Sequence, residues 1–175
     1  TQEQLEALIQ QLNEDEKVDG ILVQLPLPKH LDEDAILEKI DPSKDVDGFH
    51  PVNVGKMMLN KDTFLPCTPK GIMYLLEKEI GDLTGMNALV IGRSNLVGKP
   101  LAKMLLDKDC TVTVAHSKTD RRLLSNFLKE SDIIISAVGK PELVDLQMCW
   151  SAEIVIDVGI NRSANGELCG DCCEF

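Results

Sequence analysis

The stretch VIGRSNLVGKP, residues 90–100, combines glycines, a hydroxyl and a cation as phosphate-binding turns do. An apolar run ends at Gly92, Gly98 follows, and Arg93 and Ser94 lie between the two glycines. Where a strand of a parallel sheet leads into a helix, free backbone N–H groups and the helix dipole point at a bound phosphate. This pattern indicates a turn that could hold a nucleotide.

Neither of the two common nucleotide-binding loops fits these residues. In the nucleoside-triphosphate loop G-x4-G-K-[ST], the last residue binds Mg²⁺, but five residues separate Gly92 from Gly98 and Pro100 takes the hydroxyl's place. The dinucleotide fingerprint G-x-G-x-x-G also fails, because Ser94 and Asn95 stand near its middle. A variant dinucleotide turn remains, with Gly92 for the tight turn and Gly98 for close helix packing. An ordinary strand–helix turn is the alternative.

The segment VAHSKTDRR, residues 114–122, ends the next predicted strand. Enzymes that prefer NAD usually carry an acid here, which holds the ribose 2′-hydroxyl. This chain has Ser117 and Lys118 first and no acid before Asp120. Hydroxyl and cationic groups suit a 2′-phosphate, and Arg93 could reach the same group, so the sequence favours NADP over NAD. A solvated polar turn is the alternative.

The elements that position these residues are four short runs rich in β-branched residues. They lie at 87–91, 111–115, 132–138 and 153–158, with helical patterns at 97–107 and 120–130 and a shorter turn or helix at 145–150. Apolar strands that alternate with helices predict a parallel sheet covered on both faces. We therefore expect an α/β fold, with a Rossmann-like doubly wound domain over residues 84–175.

The first part of the chain predicts a smaller α/β lobe over residues 1–83. Its expected elements are a helix at 3–16, a short buried strand at 21–25, a helix ending before residue 42, a polar loop at 41–55 and a helix starting at residues 68–69. Residues 81–86 have the composition of a linker. The pattern gives this lobe no chemistry of its own.

Composition restricts the partners. The net charge of −11 argues against nucleic acid or an anionic membrane surface as the main partner, and no apolar stretch approaches the ~20 residues that span a bilayer. Three of the six cysteines, Cys169, Cys172 and Cys173, crowd the last residues, but the histidines lie far upstream, so we expect no metal site. A reducing cytoplasm is the expected compartment.

Five segments together resemble one enzyme family. They are DGILVQLPLP (19–28), KDVDGFHPVNVG (44–55), PCTPKGI (66–72), GRSNLVGKP (92–100) and VIDVGINR (155–162). In this order they resemble the bifunctional methylenetetrahydrofolate dehydrogenase/cyclohydrolase family. The resemblance implies a folate-binding lobe and an NADP-binding lobe flanking a cleft, a homodimer, and a place in one-carbon metabolism that supplies purine biosynthesis.

The resemblance also implies roles for single residues. In the family, the glutamine of V-Q-L-P-L tunes a catalytic lysine, and the second aspartate of D-V-D-G holds the pterin ring; these are Gln24, with its neighbours Val23 and Leu25, and Asp47. The expected NADP contacts are Gly92, Arg93, Ser94, Ser117 and, near the nicotinamide, Ile160. For Asp47 the alternative is a turn residue before Gly48, and for Gln24 an amide that caps a strand end.

Two features of the family pattern are not found in these residues. The family's Y-x3-K motif lies upstream of the glutamine, whereas here Tyr74 and Lys78 form that spacing downstream, on a predicted helix. The family's closing P-G-G-V-G segment does not appear, and the chain starts at Thr1. We therefore expect a partial chain with little turnover alone. A catalytically inactive NADP-binding fragment and another Rossmann-type reductase are the competing hypotheses.

Overall fold

In the computed structural model, which describes residues 1–163 and 165–173, the four predicted apolar runs form one parallel sheet. The strands of this part of the chain are β1 (Asn87–Ile91), β2 (Thr111–Ala115), β3 (Ile133–Ser136), β4 (Val144–Asp145), β5 (Ile154–Asp157), β6 (Asn161–Arg162), β7 (Leu168–Cys169) and β8 (Cys172–Cys173). The sheet order is β2-β1-β3-β5, with every pair parallel. The predicted Rossmann-like fold class is confirmed.

Burial follows the position of each strand in the sheet. All of β3 and the last four residues of β1 are buried, because these two central strands have neighbours on both sides. The edge strands β2 and β5 are only partly buried. Helix α6 (Arg121–Glu130) buries Leu128 in one cluster with Leu89, Ile91 and Ile134. The sheet therefore presents fixed strand ends to the loops that follow them.

The remaining elements of this part are short. Helix α5 (Gly98–Leu106) follows β1, and a 3₁₀ turn (Leu146–Met148) lies inside the predicted turn or helix at 145–150. Strand β4 pairs in parallel with β8, and β6 pairs antiparallel with β7. The sequence did not predict these two-residue pairs, since such short runs have no measurable period.

The first part of the chain has its own core of Ile9, Ile21, Ile36 and Ile40. Helix α1 (Gln2–Glu14) confirms the first predicted helix, and Thr1 and Gln4 form a capping box at its start. Helix α2 (Glu33–Leu37) begins after Asp32, whose side chain accepts a hydrogen bond from the Ala35 N–H.

The predicted strand at residues 21–25 is wrong as a strand. Only Ile21 bridges another segment, in parallel with Asp45, and its N–H donates to the Lys44 carbonyl at 2.7 Å. The pairing cannot continue along this stretch, because the opposite chain turns back at Gly48, whose N–H donates to the Asp45 carbonyl. Pro26 and Pro28 then offer no N–H for a ladder.

Helix α3 (Pro51–Met58) overlaps the loop predicted at 41–55 and corrects it. His50 precedes the helix, and its Nδ1 accepts a hydrogen bond from the Val52 N–H at 3.1 Å. Pro51 fits the first helical position, which needs no N–H donor. Asn53 and Gly55 favour a loop by propensity, but Asn53 is buried and hydrogen-bonded inside this lobe.

The described chain divides into two compact units, Thr1–Cys67 and Thr68–Phe175. Helix α4 (Cys67–Glu79) belongs almost wholly to the second unit, whereas the sequence placed the boundary after residue 83. Within the second unit α4 buries Ile72, Met73 and Leu76, and Glu77 pairs with Lys108 at 2.6 Å. In the described ranges no helix has the length and apolar character needed to cross a membrane.

Candidate nucleotide-binding and substrate-binding residues

The turn after β1 requires both of its glycines. Gly92 has φ of 131°, and a Cβ there would lie 2.5 Å from the Ala137 carbonyl oxygen. A Cβ at Gly98 would collide with the carbonyl of Gly92 and would lie 2.9 Å from the Cα of Arg93. The backbone thus passes too closely for any side chain at either position, so the start of α5 is drawn against the end of β1.

Ser94 closes this turn onto the start of α5. Its hydroxyl oxygen accepts hydrogen bonds from the N–H groups of Val97 at 3.1 Å and Gly98 at 3.3 Å, and its carbonyl accepts from the Lys99 N–H at 3.0 Å. Arg93 is exposed, and no described residue pairs with its guanidinium. The turn therefore offers a cation and a hydroxyl beside a positive helix terminus.

The loop after β2 begins next to this turn. The register pairs Ile91 with Ala115, and the Gly92 N–H donates to the Ala115 carbonyl at 2.9 Å. His116 and Thr119 hold the loop, since the His116 N–H donates to the Thr119 hydroxyl and the Thr119 N–H donates to the His116 carbonyl. Ser117 between them is exposed. Arg93 and Ser117 thus follow adjacent strands at one edge of the sheet.

The nearest acid in this loop already has a structural role. Asp120 is the N-cap of α6, and its Oδ1 accepts hydrogen bonds from the N–H groups of Arg122 at 2.9 Å and Leu123 at 3.4 Å. A carboxylate that caps a helix is held at the helix end. The exposed groups that precede it, Ser117 and Lys118, are a hydroxyl and a cation.

Two carboxylates that the sequence analysis did not single out organise the ends of β3 and β5. Asp171 is fully buried, and Asp157 accepts hydrogen bonds from the N–H groups of Asp171 at 2.9 Å and Cys172 at 2.8 Å. A Cβ at Gly159 would collide with the Asp171 carboxylate, and one at Gly170 with the Asp157 carboxylate. The available signal was an aspartate near a glycine in both VIDVG and CGD.

The environment of Asp171 changes its acidity. Burial raises its pKa, but hydrogen bonds from the Val138 N–H, the Asn161 amide, the Lys140 N–H and the Ser136 hydroxyl lower it further, so the net direction is down. These donors favour the charged form. Asp171 is therefore a carboxylate that stays ionised inside the protein.

Ile160, the residue expected near the nicotinamide, lies just beyond the end of β5. Its side chain is 84% exposed, although the residue is apolar. Gly159 before it and Asn161 after it are fixed by the carboxylates, since the Gly159 N–H donates to Asp157 and the Asn161 amide donates to Asp171. An exposed isoleucine on a fixed loop at the carboxyl edge of the sheet is available to a ligand.

In the first unit, Asp45 rather than Asp47 holds the D-V-D-G turn together. Asp45 is buried, and its carboxylate accepts hydrogen bonds from the N–H groups of Gly48 at 3.1 Å and His50 at 2.8 Å and from the Asn53 amide at 2.9 Å. Gly48 has φ of 69°, and a Cβ there would lie 2.5 Å from the Phe64 carbonyl oxygen. The turn requires this glycine.

Asp47 is left half-buried beside this network, and no described group donates a hydrogen bond to its carboxylate. Burial, and then the negative charge of Asp45, raise the pKa of Asp47 above its usual range. A partly desolvated carboxylate without a donor is suited to accept hydrogen bonds from a ligand. Asp47 also lies in the turn directly before Gly48, as the alternative interpretation has it.

Gln24 is exposed, and its Nε2 donates to the Leu25 carbonyl at 3.0 Å. Val23 and Leu25 on either side are half-buried. The amide oxygen of Gln24 accepts no hydrogen bond from the described residues. Gln24 therefore has a fixed amide with a free acceptor.

All six cysteines are free thiols. Burial, and then the charge of Asp157, raise the pKa of Cys172 to about 12, so its thiol stays protonated at neutral pH. Cys169 lies in β7 and Cys173 in β8, where its thiol donates to the Val144 carbonyl at 3.3 Å. No group of three or more metal-ligating side chains occurs in residues 1–163 and 165–173.

Two family models match the chain. The model "Tetrahydrofolate dehydrogenase/cyclohydrolase, NAD(P)-binding domain" matches residues 66–174, and "Tetrahydrofolate dehydrogenase/cyclohydrolase, catalytic domain" matches residues 1–47. Among curated relatives, the bifunctional protein FolD of Bacillus cytotoxicus is 52% identical over 171 residues. That match covers 98% of this chain and 59% of the relative, so the chain spans well under two thirds of its relative's length.

Solved structures agree with the sequence matches. The bifunctional FolD methylenetetrahydrofolate dehydrogenase/cyclohydrolase of Campylobacter jejuni is 50% identical with a TM-score of 0.91, over 98% of this chain and 61% of that one. The Trypanosoma brucei dehydrogenase-cyclohydrolase, solved with NADP cofactor and inhibitor, is 39% identical with a TM-score of 0.89, over 99% of this chain and 61% of that one.

Proposed function

Because the chain belongs to the tetrahydrofolate dehydrogenase/cyclohydrolase family, we propose that it forms the cofactor-binding domain and part of the folate-binding domain of an enzyme with two activities. The first oxidises 5,10-methylenetetrahydrofolate to 5,10-methenyltetrahydrofolate with NADP. The second hydrolyses this product to 10-formyltetrahydrofolate.

The residues after β1 fit a dinucleotide. A Cβ at Gly92 or Gly98 would fill space that the backbone needs. The exposed Arg93 cation and the Ser94 hydroxyl, whose oxygen accepts from the N–H groups of Val97 and Gly98, lie at the start of α5. Gly92, Arg93 and Ser94 would hold phosphates, and Ile160 would contact the nicotinamide. NADP, when bound, supplies the acceptor for the hydride, and the protein supplies orientation.

The choice of NADP over NAD follows from the groups after β2. Arg93, Ser117 and Lys118 are exposed donors or cations on adjacent loops, and the first acid, Asp120, caps α6. A 2′-phosphate gains charge-assisted hydrogen bonds from such groups. The proposal of an NADP enzyme is carried by one observation: the Asp120 carboxylate caps α6, while the groups beside it are exposed donors.

The folate side rests on Gln24 and Asp47. A pterin edge carries N–H donors, and the half-buried Asp47 carboxylate has no donor among the described residues, so it can accept them. The neutral amide of Gln24 can orient an amine without fixing its proton. Val23 and Leu25 would line the same substrate with apolar surface.

The two activities are tested in a protein of full family length. Residues 1–175 replace the matching segment of the Campylobacter enzyme, and methenyltetrahydrofolate and 10-formyltetrahydrofolate are followed with NADP and with NAD. We expect both products, with NADP preferred. A chimera that folds and binds NADP but forms neither product contradicts the proposed function.

The folate assignments are tested in the same chimera. Asp47→Ala should weaken folate binding and leave NADP affinity nearly unchanged, and Gln24→Ala should impair the hydrolysis step most. Asp62→Ala, a change at an exposed aspartate of the same unit, is the matched control. Normal activity in both Asp47→Ala and Gln24→Ala would refute these assignments.

We infer a cytoplasmic homodimer whose product supplies one-carbon units to purine biosynthesis, on the family resemblance alone. The net charge of −11 supports the absence of nucleic-acid and membrane partners. Sedimentation velocity tests the dimer, and a monomer at micromolar concentration contradicts it.

A further inference from the structure

Asp171 lies at the centre of a network that the proposed chemistry does not use. Its Oδ2 accepts hydrogen bonds from the Ser136 hydroxyl at 3.0 Å and the Val138 N–H at 2.8 Å. Its Oδ1 accepts from the Lys140 N–H at 2.8 Å and the Asn161 amide at 2.9 Å. With full burial, the carboxylate cannot touch a ligand itself.

These four donors come from two different strand ends. Ser136, Val138 and Lys140 belong to the end of β3 and its loop, whereas Asn161 follows β5. The register pairs Ser136 with Asp157, so these ends are adjacent. The Asn161 amide also donates to the Gly170 carbonyl at 3.0 Å. One buried carboxylate thus fixes two neighbouring loops to each other.

The sheet order places these loops at a definite distance from the phosphate-binding residues. Arg93 follows β1 and Ser117 follows β2, while β3 and β5 continue the sheet on the other side of β1. Neighbouring strands lie about 4.8 Å apart, so β2 and β5 are separated by about 14 Å. A dinucleotide whose 2′-phosphate lies near Ser117 and which crosses the strand ends reaches the β3 and β5 loops with its opposite half.

We propose that Asp171 is a positioning residue, which holds the loop of Val138–Lys140 and the exposed Ile160 in place for the nicotinamide half of NADP. This inference rests on the proposed NADP function. Asp157 completes the arrangement, because it accepts hydrogen bonds from the N–H groups of Gly159 and Asp171. Without the Asp171 carboxylate, four donors, of which Ser136 and Asn161 are buried residues, lose their acceptor and the two loops separate.

Two probes distinguish the halves of the cofactor. Adenosine 2′,5′-bisphosphate carries the 2′-phosphate and the adenosine but no nicotinamide, so it reports only on the β1 and β2 loops. The 175-residue chain is titrated calorimetrically with this probe and with NADP, as wild type, as Asp171→Asn and as Asp145→Asn. Asp145 is the control, since its carboxylate accepts one hydrogen bond, from the Gln147 N–H, at the start of the 3₁₀ turn.

We expect Asp171→Asn to weaken NADP by about tenfold, as the loss of hydrogen bonds to a charged group would, while affinity for adenosine 2′,5′-bisphosphate stays within about twofold. Asp145→Asn should bind both probes as the wild type does. If Asp171 had only a structural role, Asp171→Asn would lower the affinity for both probes by the same factor, and that result overturns the inference. Unchanged NADP affinity overturns it equally.

A second variant decides the matter if Asp171→Asn does not fold. Asn161→Ala removes the amide that donates to the Asp171 carboxylate and to the Gly170 carbonyl, leaves the carboxylate itself in place, and should show the same split between the two probes. An equal effect on both probes contradicts the inference. If the wild-type chain binds neither probe, the proposed NADP function itself is refuted. If the wild-type chain binds both probes but the variants do not lose affinity for NADP selectively, only the role of Asp171 is refuted.

Discussion

Among single residues, we propose that Ser117 has the most direct influence on nucleotide choice. It is exposed at the carboxyl end of β2, and the nearest acid, Asp120, is held by α6. Ser117→Asp should weaken NADP by about tenfold or more through like-charge repulsion and leave NAD unchanged or tighter, since a carboxylate can accept the ribose 2′-hydroxyl. Fluorescence titration with both nucleotides measures this.

The control adds the same charge at the far end of the same strand. Thr111 is exposed at the start of β2, and Thr111→Asp should affect NADP and NAD alike and weakly. If Ser117→Asp weakened the two nucleotides equally, the 2′-phosphate would not lie near Ser117.

Asp171 should also affect how the free energy of unfolding depends on pH. Its folded pKa lies below the unfolded value of about 3.9, so its stabilisation is fully present above that value and is lost as pH falls through the folded pKa. Asp171→Asn should therefore lower the free energy of unfolding at pH 7 and flatten its fall between about pH 5 and pH 3. Urea unfolding followed by the single tryptophan, Trp150, reports on this unit. Identical slopes in both proteins contradict the assignment.

At the scale of elements, the β1 strand, its turn and α5 form a unit that depends on Gly98. An alanine there places a Cβ against the backbone of Gly92 and Arg93, which cannot move without displacing α5. Gly98→Ala should lower the free energy of unfolding by about 2 kcal/mol and weaken NADP.

Gly71→Ala is the matched control for this substitution. Gly71 lies inside α4, and a Cβ there meets no atom within 4 Å. The same change should raise the free energy of unfolding by about 0.5 to 1 kcal/mol, because alanine loses less backbone entropy in a helix. Equal destabilisation by both substitutions would show that close packing at Gly98 is not the cause.

The sequence predicted the elements of the second unit closely and those of the first less well. The four strands predicted there appear within a residue or two of the predicted bounds, since buried parallel strands give apolar runs that helices separate. The segment at 21–25 has the same composition, but composition cannot tell whether a partner strand lies alongside. Helix α3 was missed because its stability comes from His50, Pro51 and the burial of Asn53 rather than from propensity.

Some features of the candidate site could likewise be predicted from the sequence and others could not. The glycine turn could be predicted, because the spacing of Gly92 and Gly98 reflects backbone contacts within one strand–turn–helix. The role of Ser117, which follows β2, stays a prediction. Asp171 could not, since its donors lie 10 to 35 residues away in the chain and meet it only in the folded state. The structural role of Asp45 was not predicted, because the sequence does not show which of two nearby aspartates turns inward.

For the molecule as a whole, the position of α4 decides where the nucleotide-binding unit begins. The structure groups Thr68–Phe175, whereas a start at residue 84 omits the helix. We expect residues 68–175 alone to fold and to bind NADP as tightly as the 175-residue chain. Residues 84–175 should unfold at lower urea concentration, because they lose the buried Ile72, Met73 and Leu76. Equal stability of the two pieces would favour the boundary after residue 83.

The central claim is that this chain binds NADP in preference to NAD through Arg93 and Ser117. Calorimetric titration of the purified 175-residue protein with NADP and with NAD, at one salt concentration, tests it most directly. Charge-assisted hydrogen bonds to the 2′-phosphate predict a dissociation constant for NADP at least about tenfold below that for NAD. Equal affinities, or a preference for NAD, would contradict the account.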